Sequence, residues 1–336
     1  MKKAAIVILN FNGKGVLKKY LSQVVHQSVF EVIVVDNGST DGSIDYLTVH
    51  FPEIRLLLLG ENHGYSKGYN LGLETLNGQF DYYLLLNSDV KVVQGWDEAL
   101  VRYMEGNPTL AACQPKVLSL KQTGYFDYAG AAGGYLDRLG YPYCRGRMLH
   151  TLEKDSGQYD QSQPIDWASG ACFCVRADLF HEFGGFNPNF FSHMEEIELC
   201  WRWRNAGFQI HHCSDAQVYH FGGGTLASTN PFKTYLNFRN SLFMLYANLT
   251  RVGFWPVFFL RVVLDTAAAL HLWYGSGPAH GKAVLRAYRD FWSERNRKAP
   301  GNAIRVGCVG SEKSTQPFSL IVSYYVLGKR YFSSLH

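Results

Sequence analysis

The chain has 336 residues, 47% of them hydrophobic and 18% charged, with a formal net charge of +4. This composition supplies a full core and excludes a disordered chain, and a mild basic excess without any long Lys/Arg run gives no support for nucleic-acid binding. Seven cysteines scattered without a Cys-x-x-Cys pair read as reduced thiols of a cytosolic protein, not as a disulfide framework.

The N-terminal MKKAAIVILNFN carries a six-residue apolar run that Asn10 and Asn12 close, so a first β-strand is favoured over a signal peptide. Three more apolar runs follow, EVIVVD (31–36), RLLLLG (55–60) and YYLLLNSD (82–89). With AAIVIL (4–9) they are continuous, not alternating, as in strands buried on both faces. Helical spacing separates them: Leu17, Leu21, Val24 and Val25, then Ile44 and Leu47, then Tyr69, Leu71 and Leu73. Strand, helix, strand with short loops predicts a Rossmann-like, mostly parallel α/β sheet flanked by helices. Ligands of such sheets bind beyond the carboxyl ends of the strands. Polar residues gather there: Asn10 and Asn12, Asp36 and Asn37, Asn87 and Asp89.

The loop after the first strand, FNGKGVLKK, has Gly13 and Gly15 but Lys18 at the place of a third glycine, a weak match to a dinucleotide fingerprint. Asp89 at the end of a buried strand is a hard oxygen ligand for a cation that bridges phosphates, although Asn87-Ser88-Asp89 also reads as a turn. Lys67 in ENHGYSKGYN is placed to meet a phosphate. Residues 115–165 are rich in Gly and Tyr and read as loops or short hairpins on the sheet's rim, and WASGACFCV (167–175) as a further strand.

In FFSHMEEIELCWRWRNAGF (190–208), Ser192 and Glu195 have capping-box spacing, and Glu198 precedes Arg202 by four residues, the favourable order for a surface ion pair. Glu196 has neither role. Trp201 and Trp203 fall at helical spacing and read as packing residues.

Together these stretches resemble the inverting family 2 glycosyltransferases of GT-A fold, particularly bacterial rhamnosyltransferase-like members. The similarity runs in order through VILNFNG (7–13), VVDNGSTDGS (34–43), ENHGYSKGYNLGL (61–73), LLLNSDV (84–90), WASGACFCVR (167–176), GGFNPNFFSHMEEIELCWRWRNAGF (184–208) and VYHFGGGT (218–225). The resemblance implies that Asp36 contacts the nucleoside, with Asn10, Asn12, Asn37, Lys67 and Asn87 also on the donor side. It implies that Asn87 and Asp89 form a degenerate Asp-x-Asp motif. Asp89 and His220 would hold a divalent cation, Mn²⁺ or Mg²⁺, and a carboxylate with an imidazole suits Mn²⁺ at least as well. Relatives usually carry Glu-Asp-x-Asp where this chain has Glu195-Glu196-Ile197-Glu198, so Glu196 becomes the catalytic base, one methylene longer. Trp167, Gly170, Glu195 and Glu198 are then expected on the acceptor side.

The expected organisation is a GT-A catalytic domain over 1–230, with a nucleotide-sugar half (1–115) and an acceptor half (116–230), followed by a helical, aromatic-rich extension over 231–336. FWPVFFLRVVLDTAAALHL (254–272) approaches bilayer-spanning length but contains Arg261 and Asp265, four residues apart. With Arg239, Arg251, Lys282, Arg286 and Arg289 around it, an interfacial helix is expected ahead of a buried or a spanning one, on a peripheral protein at the inner face of the membrane. The function that follows is metal-dependent, inverting transfer from a nucleotide sugar to a saccharide acceptor, lipid-linked, in cell-surface polysaccharide assembly. A sugar nucleotidyltransferase of similar sheet topology and a non-catalytic nucleotide-sugar-binding protein are the alternatives.

Overall fold

The computed structural model describes residues 3–222, 230–298 and 316–335. Residues 223–225 of the VYHFGGGT stretch and Cys308 lie outside the described residues.

The first half is built as the apolar runs require. β1 (Ala4–Asn10), α1 (Lys14–Gln27), β2 (Glu31–Asp36), α2 (Ser43–His50), β3 (Arg55–Leu58), α3 (Gly64–Glu74) and β4 (Tyr82–Leu86) alternate. β1 lies parallel to both β2 and β4, and β2 lies parallel to β3. The order β3-β2-β1-β4 reverses direction at β1, so a crevice opens at the carboxyl ends of β1 and β4.

The chain then passes through β5 (Val90–Val92), α4 (Trp96–Glu105) and β6 (Leu110–Ser119). A small antiparallel sheet of β7 (Gly134–Leu136), β8 (Pro142–Cys144), β9 (Arg147–Met148) and β10 (Thr151–Leu152) follows, as the Gly- and Tyr-rich composition predicts. Next come β11 (Gln163–Ile165), β12 (Cys172–Arg176), α5 (Ala177–Glu182), α6 (Glu195–Asn205) and β13 (Gln209–His220). β12 enters the main sheet antiparallel between β4 and β6, and β13 runs parallel to β6 on its far side. Only the second half of WASGACFCV is strand. Trp167–Ala171 precedes β12 as a loop, and this carries Gly170 beside the turn that follows β4.

The extension comprises α7 (Pro231–Asn248), α8 (Arg251–Gly275), α9 (Pro278–Lys298) and α10 (Leu320–Tyr325), with a 3-10 turn at Phe332–Leu335. Asn230 caps α7 by accepting from Phe232 N at 2.9 Å, and Thr250 caps α8 by accepting from Gly253 N at 3.1 Å. The change of composition near residue 230 marks a change of element type and not a separate core. Leu242, Phe243, Met244 and Leu245 of α7 belong to the same apolar cluster as Phe173, Phe186 and Phe190 of the preceding part.

Candidate active site

Two ladders bring Asp89 and His220 together. Asp89 occupies the turn between β4 and β5, and β5 pairs antiparallel with β13 so that His220 stands opposite Val90. Phe221 N donates to Asp89 O at 3.0 Å and fixes that register. His220 Nε2 lies 3.2 Å from Asp89 Oδ1, and Nδ1 lies 2.8 Å from Asp127 Oδ1. All three side chains are buried. Burial alone favours neutral imidazole, but hydrogen bonds to Asp127 and Asp89 win and push His220 up to about 9. Burial likewise opposes the charge on Asp89, yet the His220 hydrogen bond holds its carboxyl below the ordinary value.

Asp89 and His220 would form a donor pair that suits a divalent cation once the imidazole gives up its Nε2 proton, with Asp127 orienting the ring through its other nitrogen. Among the described residues no group of three His, Cys, Asp or Glu side chains stands ready to hold a metal unaided. Further ligands would be oxygens of a bound diphosphate and water.

Asn10, Asn12, Asp36 and Asn37 meet at the carboxyl ends of β1 and β2. Asn10 Nδ2 donates to Asp36 Oδ2 at 2.9 Å and to Ser39 Oγ at 3.0 Å. Asn12 Oδ1 accepts from Thr40 N at 2.7 Å, and Asn37 Oδ1 accepts from His63 N at 3.0 Å. Asn37 Nδ2 also donates to Asn62 Oδ1 and to Gly64 O. The three asparagines therefore tie the loops after β1, β2 and β3 to one another, and that bonding defines the wall of the crevice. Asn10 Oδ1 is buried without a partner, and it is the one acceptor of this group left unused. Lys67 is exposed on α3.

The second cluster forms around Gly170. Tyr65 Oη donates to Gly170 O at 3.2 Å, and a side chain added at Gly170 would stand 2.9 Å from Tyr65 Oη and 3.7 Å from Glu196 Oε1. Glycine is required there by close approach. Neighbouring Ala171 O accepts from Asn87 N at 3.1 Å, which joins this cluster to the Asn87–Asp89 turn. Glu195 Oε2 and Glu196 Oε2 are buried acceptors without a hydrogen-bond partner. Burial raises both carboxyl pKa values; the charge of Glu196 adds to the effect on Glu195, and backbone N–H groups, including that of Gly170, partly offset it at Glu196. Burial and the two glutamates push the Tyr65 phenol well up, so Tyr65 is a neutral hydrogen-bond donor.

Several expectations are corrected. Ser192 is not the cap of α6: Met194 occupies that place in a left-handed conformation and makes no side-chain cap, so Glu195 belongs to no capping box. Glu198 and Arg202 do pair, at 2.8 Å, but in the core and not on the surface. The Glu198 side chain is fully buried, its two oxygens both accept from Arg202 Nε, and this directs it away from an acceptor. Breaking such a pair costs about 3–5 kcal/mol, which marks Glu198 as structural. Trp167 is buried against Gly134 and donates through Nε1 to Tyr135 O at 3.0 Å, so it supports the loop from behind without facing a ligand. Trp203 is fully buried and Trp201 packs on the core, in agreement with their spacing. Arg239, expected on the membrane side, is buried and turned inward.

A crevice at a strand-order reversal, an acidic turn paired with histidine and a carboxylate beside it make up the candidate site. Residues 5–162 match the glycosyl transferase family 2 model. Over that stretch, just under half of its length, the chain is similar to the family 2 glycosyltransferases, rhamnosyltransferases among them, and the likeness supports an enzyme of glycosyl transfer. It is 26% identical over 230 residues to an N-acetylglucosaminyl-diphospho-decaprenol L-rhamnosyltransferase of Mycobacterium tuberculosis, covering 64% of this chain and 75% of the relative. It is 26% identical over 243 residues to the low-salt glycan biosynthesis hexosyltransferase Agl10 of Haloferax volcanii, covering 70% and 73%. GalNAc-T7, solved with UDP, GalNAc and Mn²⁺, shares the fold at a TM-score of 0.56 and 13% identity over 74% of this chain. This chain spans about half of the GalNAc-T7 chain, 48%. The relatives are sugar transferases by name, which favours glycosyl transfer over the nucleotidyltransferase and non-catalytic alternatives.

Sequence reasoning missed Tyr65 and Asp127. Tyr65 lies in ENHGYSKGYN, of which Lys67 alone was assigned a ligand. Asp127 carries no local signal, because its partner His220 is 93 residues away.

Proposed function

We propose that the enzyme transfers a sugar, with inversion, from a nucleotide sugar to a hydroxyl of a saccharide on a lipid carrier, with a divalent cation, at the inner face of the membrane. Glu196 is the base. The observation that carries this reading is its unpartnered, buried Oε2, held next to Gly170 and Tyr65 and linked through Ala171 to the Asn87–Asp89 turn. An acceptor O–H supplies the missing donor. As Glu196 takes that proton, the acceptor oxygen bonds to the anomeric carbon, and the bond to the diphosphate breaks with its electron pair passing to the diphosphate oxygen. A cation held by Asp89 and His220 would neutralise charge on the diphosphate. Asp36 and Asn10 line the nucleoside side, and raised basicity from burial suits Glu196 to proton removal near neutral pH.

The lipid-linked acceptor and the membrane location draw support from α8. Arg261 and Asp265 pair with each other at 3.1 Å and are buried against Tyr141, Ser241 and Tyr288, so no charge faces outward from the middle of the helix. Its other face exposes Val252, Trp255, Phe259, Val263, Leu270 and Tyr274 at helical spacing. Exposed Arg251, Lys282, Arg286 and Arg289 lie on α8 and α9. An apolar stripe flanked by cations suits an anionic bilayer surface.

Thermal stabilisation by a panel of UDP-, GDP- and dTDP-sugars, with and without Mn²⁺, tests the donor and metal assignments. The expected result is one nucleotide sugar that stabilises only with the metal, an effect that Asp89→Ala abolishes. Equal stabilisation with Mn²⁺ and with excess EDTA contradicts the metal assignment.

A further inference from the structure

The loop that leads into α6 holds two successive non-glycine residues in the left-handed region, His193 at φ 70° and Met194 at φ 71°. L-residues seldom adopt this conformation, and two in a row need an external hold. A local cap does not supply it, since no side chain caps α6. The hold comes from α7, nearly fifty residues further along the chain.

Asn240 of α7 is fully buried. Its Nδ2 donates to Ser192 O at 2.9 Å and to His193 O at 2.8 Å. Those carbonyls belong to the two peptide planes on either side of His193, so one amide fixes both φ and ψ of that residue. Asn240 Oδ1 accepts from Arg239 Nε at 3.0 Å, and Arg239 NH2 donates to Asn189 O at 2.7 Å, so the pair grips the same loop at a third carbonyl. From the opposite side Tyr65 N donates to Phe191 O at 2.7 Å. His193 itself adds no charge, because burial and the nearby Lys233 hold its imidazole down to about 4.

We propose that Asn240, oriented by Arg239, is a positioning residue of the transfer reaction: it pins the left-handed turn at His193 and so sets the first turn of α6, which presents Glu196 to Gly170 and Tyr65. This rests on Glu196 as the base. The helical extension is then part of the catalytic apparatus and not only a platform for the acceptor.

The test uses the full chain and compares Asn240→Ala, Asn240→Ser, His193→Gly, the double variant Asn240→Ala/His193→Gly, and Glu196→Gln. Asn240→Ala is expected to lower kcat about 10- to 100-fold, the scale of a small misplacement of a catalytic group. Donor affinity by calorimetry should stay within about two-fold. Asn240→Ser, which keeps one donor, should fall between, and it carries the test should the alanine variant fail to fold. In the double variant, glycine adopts φ near +70° freely, and kcat should recover about three- to ten-fold over Asn240→Ala. A purely structural role would lower the melting temperature without that recovery. Wild-type kcat in Asn240→Ala and Asn240→Ser, or no recovery with His193→Gly, overturns the inference while an inactive Glu196→Gln leaves the base assignment standing. An active Glu196→Gln overturns that assignment instead.

Discussion

Glu195 and Glu196 are adjacent, Glu195 buried and Glu196 half-buried, and each has a buried oxygen without a partner. Burial raises both, so the native protein binds protons that the unfolded chain releases. The stability these groups contribute is complete below their unfolded pKa values, near the ordinary 4.3 of glutamate, and is lost as pH rises through the folded values. Glu195→Gln should therefore raise the melting temperature at pH 7.5 and leave it nearly unchanged at pH 4. A fall at pH 7.5 would show that the Glu195 carboxylate holds the helix start. If Glu196 is the base as proposed, it must be ionised to act, so the acid limb of a kcat/KM profile should lie above the range of an exposed glutamate.

At the scale of elements, α8 makes the sharpest prediction. It is 25 residues long, but only 28% of its most apolar window is buried in the protein. Full burial as a core helix does not fit that exposure, and its two internal charges are spent inward. Phe259→Glu with Val263→Glu should lower binding to anionic vesicles at least ten-fold in flotation while leaving transfer to a soluble acceptor within about two-fold, because neither side chain touches the site. Binding should weaken with salt. Flotation unchanged by the double substitution would remove α8 from the contact. Elements also show where sequence reading reaches its limit. β1 to β4 announce themselves because strands buried on both faces must be continuously apolar. β6 (LAACQPKVLS) and β13 (QIHHCSDAQVYH) went unrecognised although they pair along most of their length. Lys116 turns from the strand to pair with Asp155, and a register shift between Cys213 and Gln217 interrupts any period-two pattern.

Over the whole molecule, the grouping of Asn10, Asn12, Asp36 and Asn37 at one end of the sheet was legible because the residues that end parallel strands are necessarily neighbours in space. Glu196 stands out in the sequence through the absence of any local task for it, and the role of base rests on the proposal above. What was hidden depends on contacts across long separations: Asp127 with His220, Glu198 turned into the core, and Asn240 with the loop before α6. The composition changes near 230, where α7 begins, yet α7 lies in the shared core and bonds the loop before α6. The central claim is that Glu196 deprotonates the acceptor. The most direct measurement is the transfer rate of Glu196→Gln, at saturating donor and metal, beside its donor affinity. The account predicts a loss of about 10²- to 10⁴-fold in transfer with donor binding near wild type; transfer within a few-fold of wild type would contradict it.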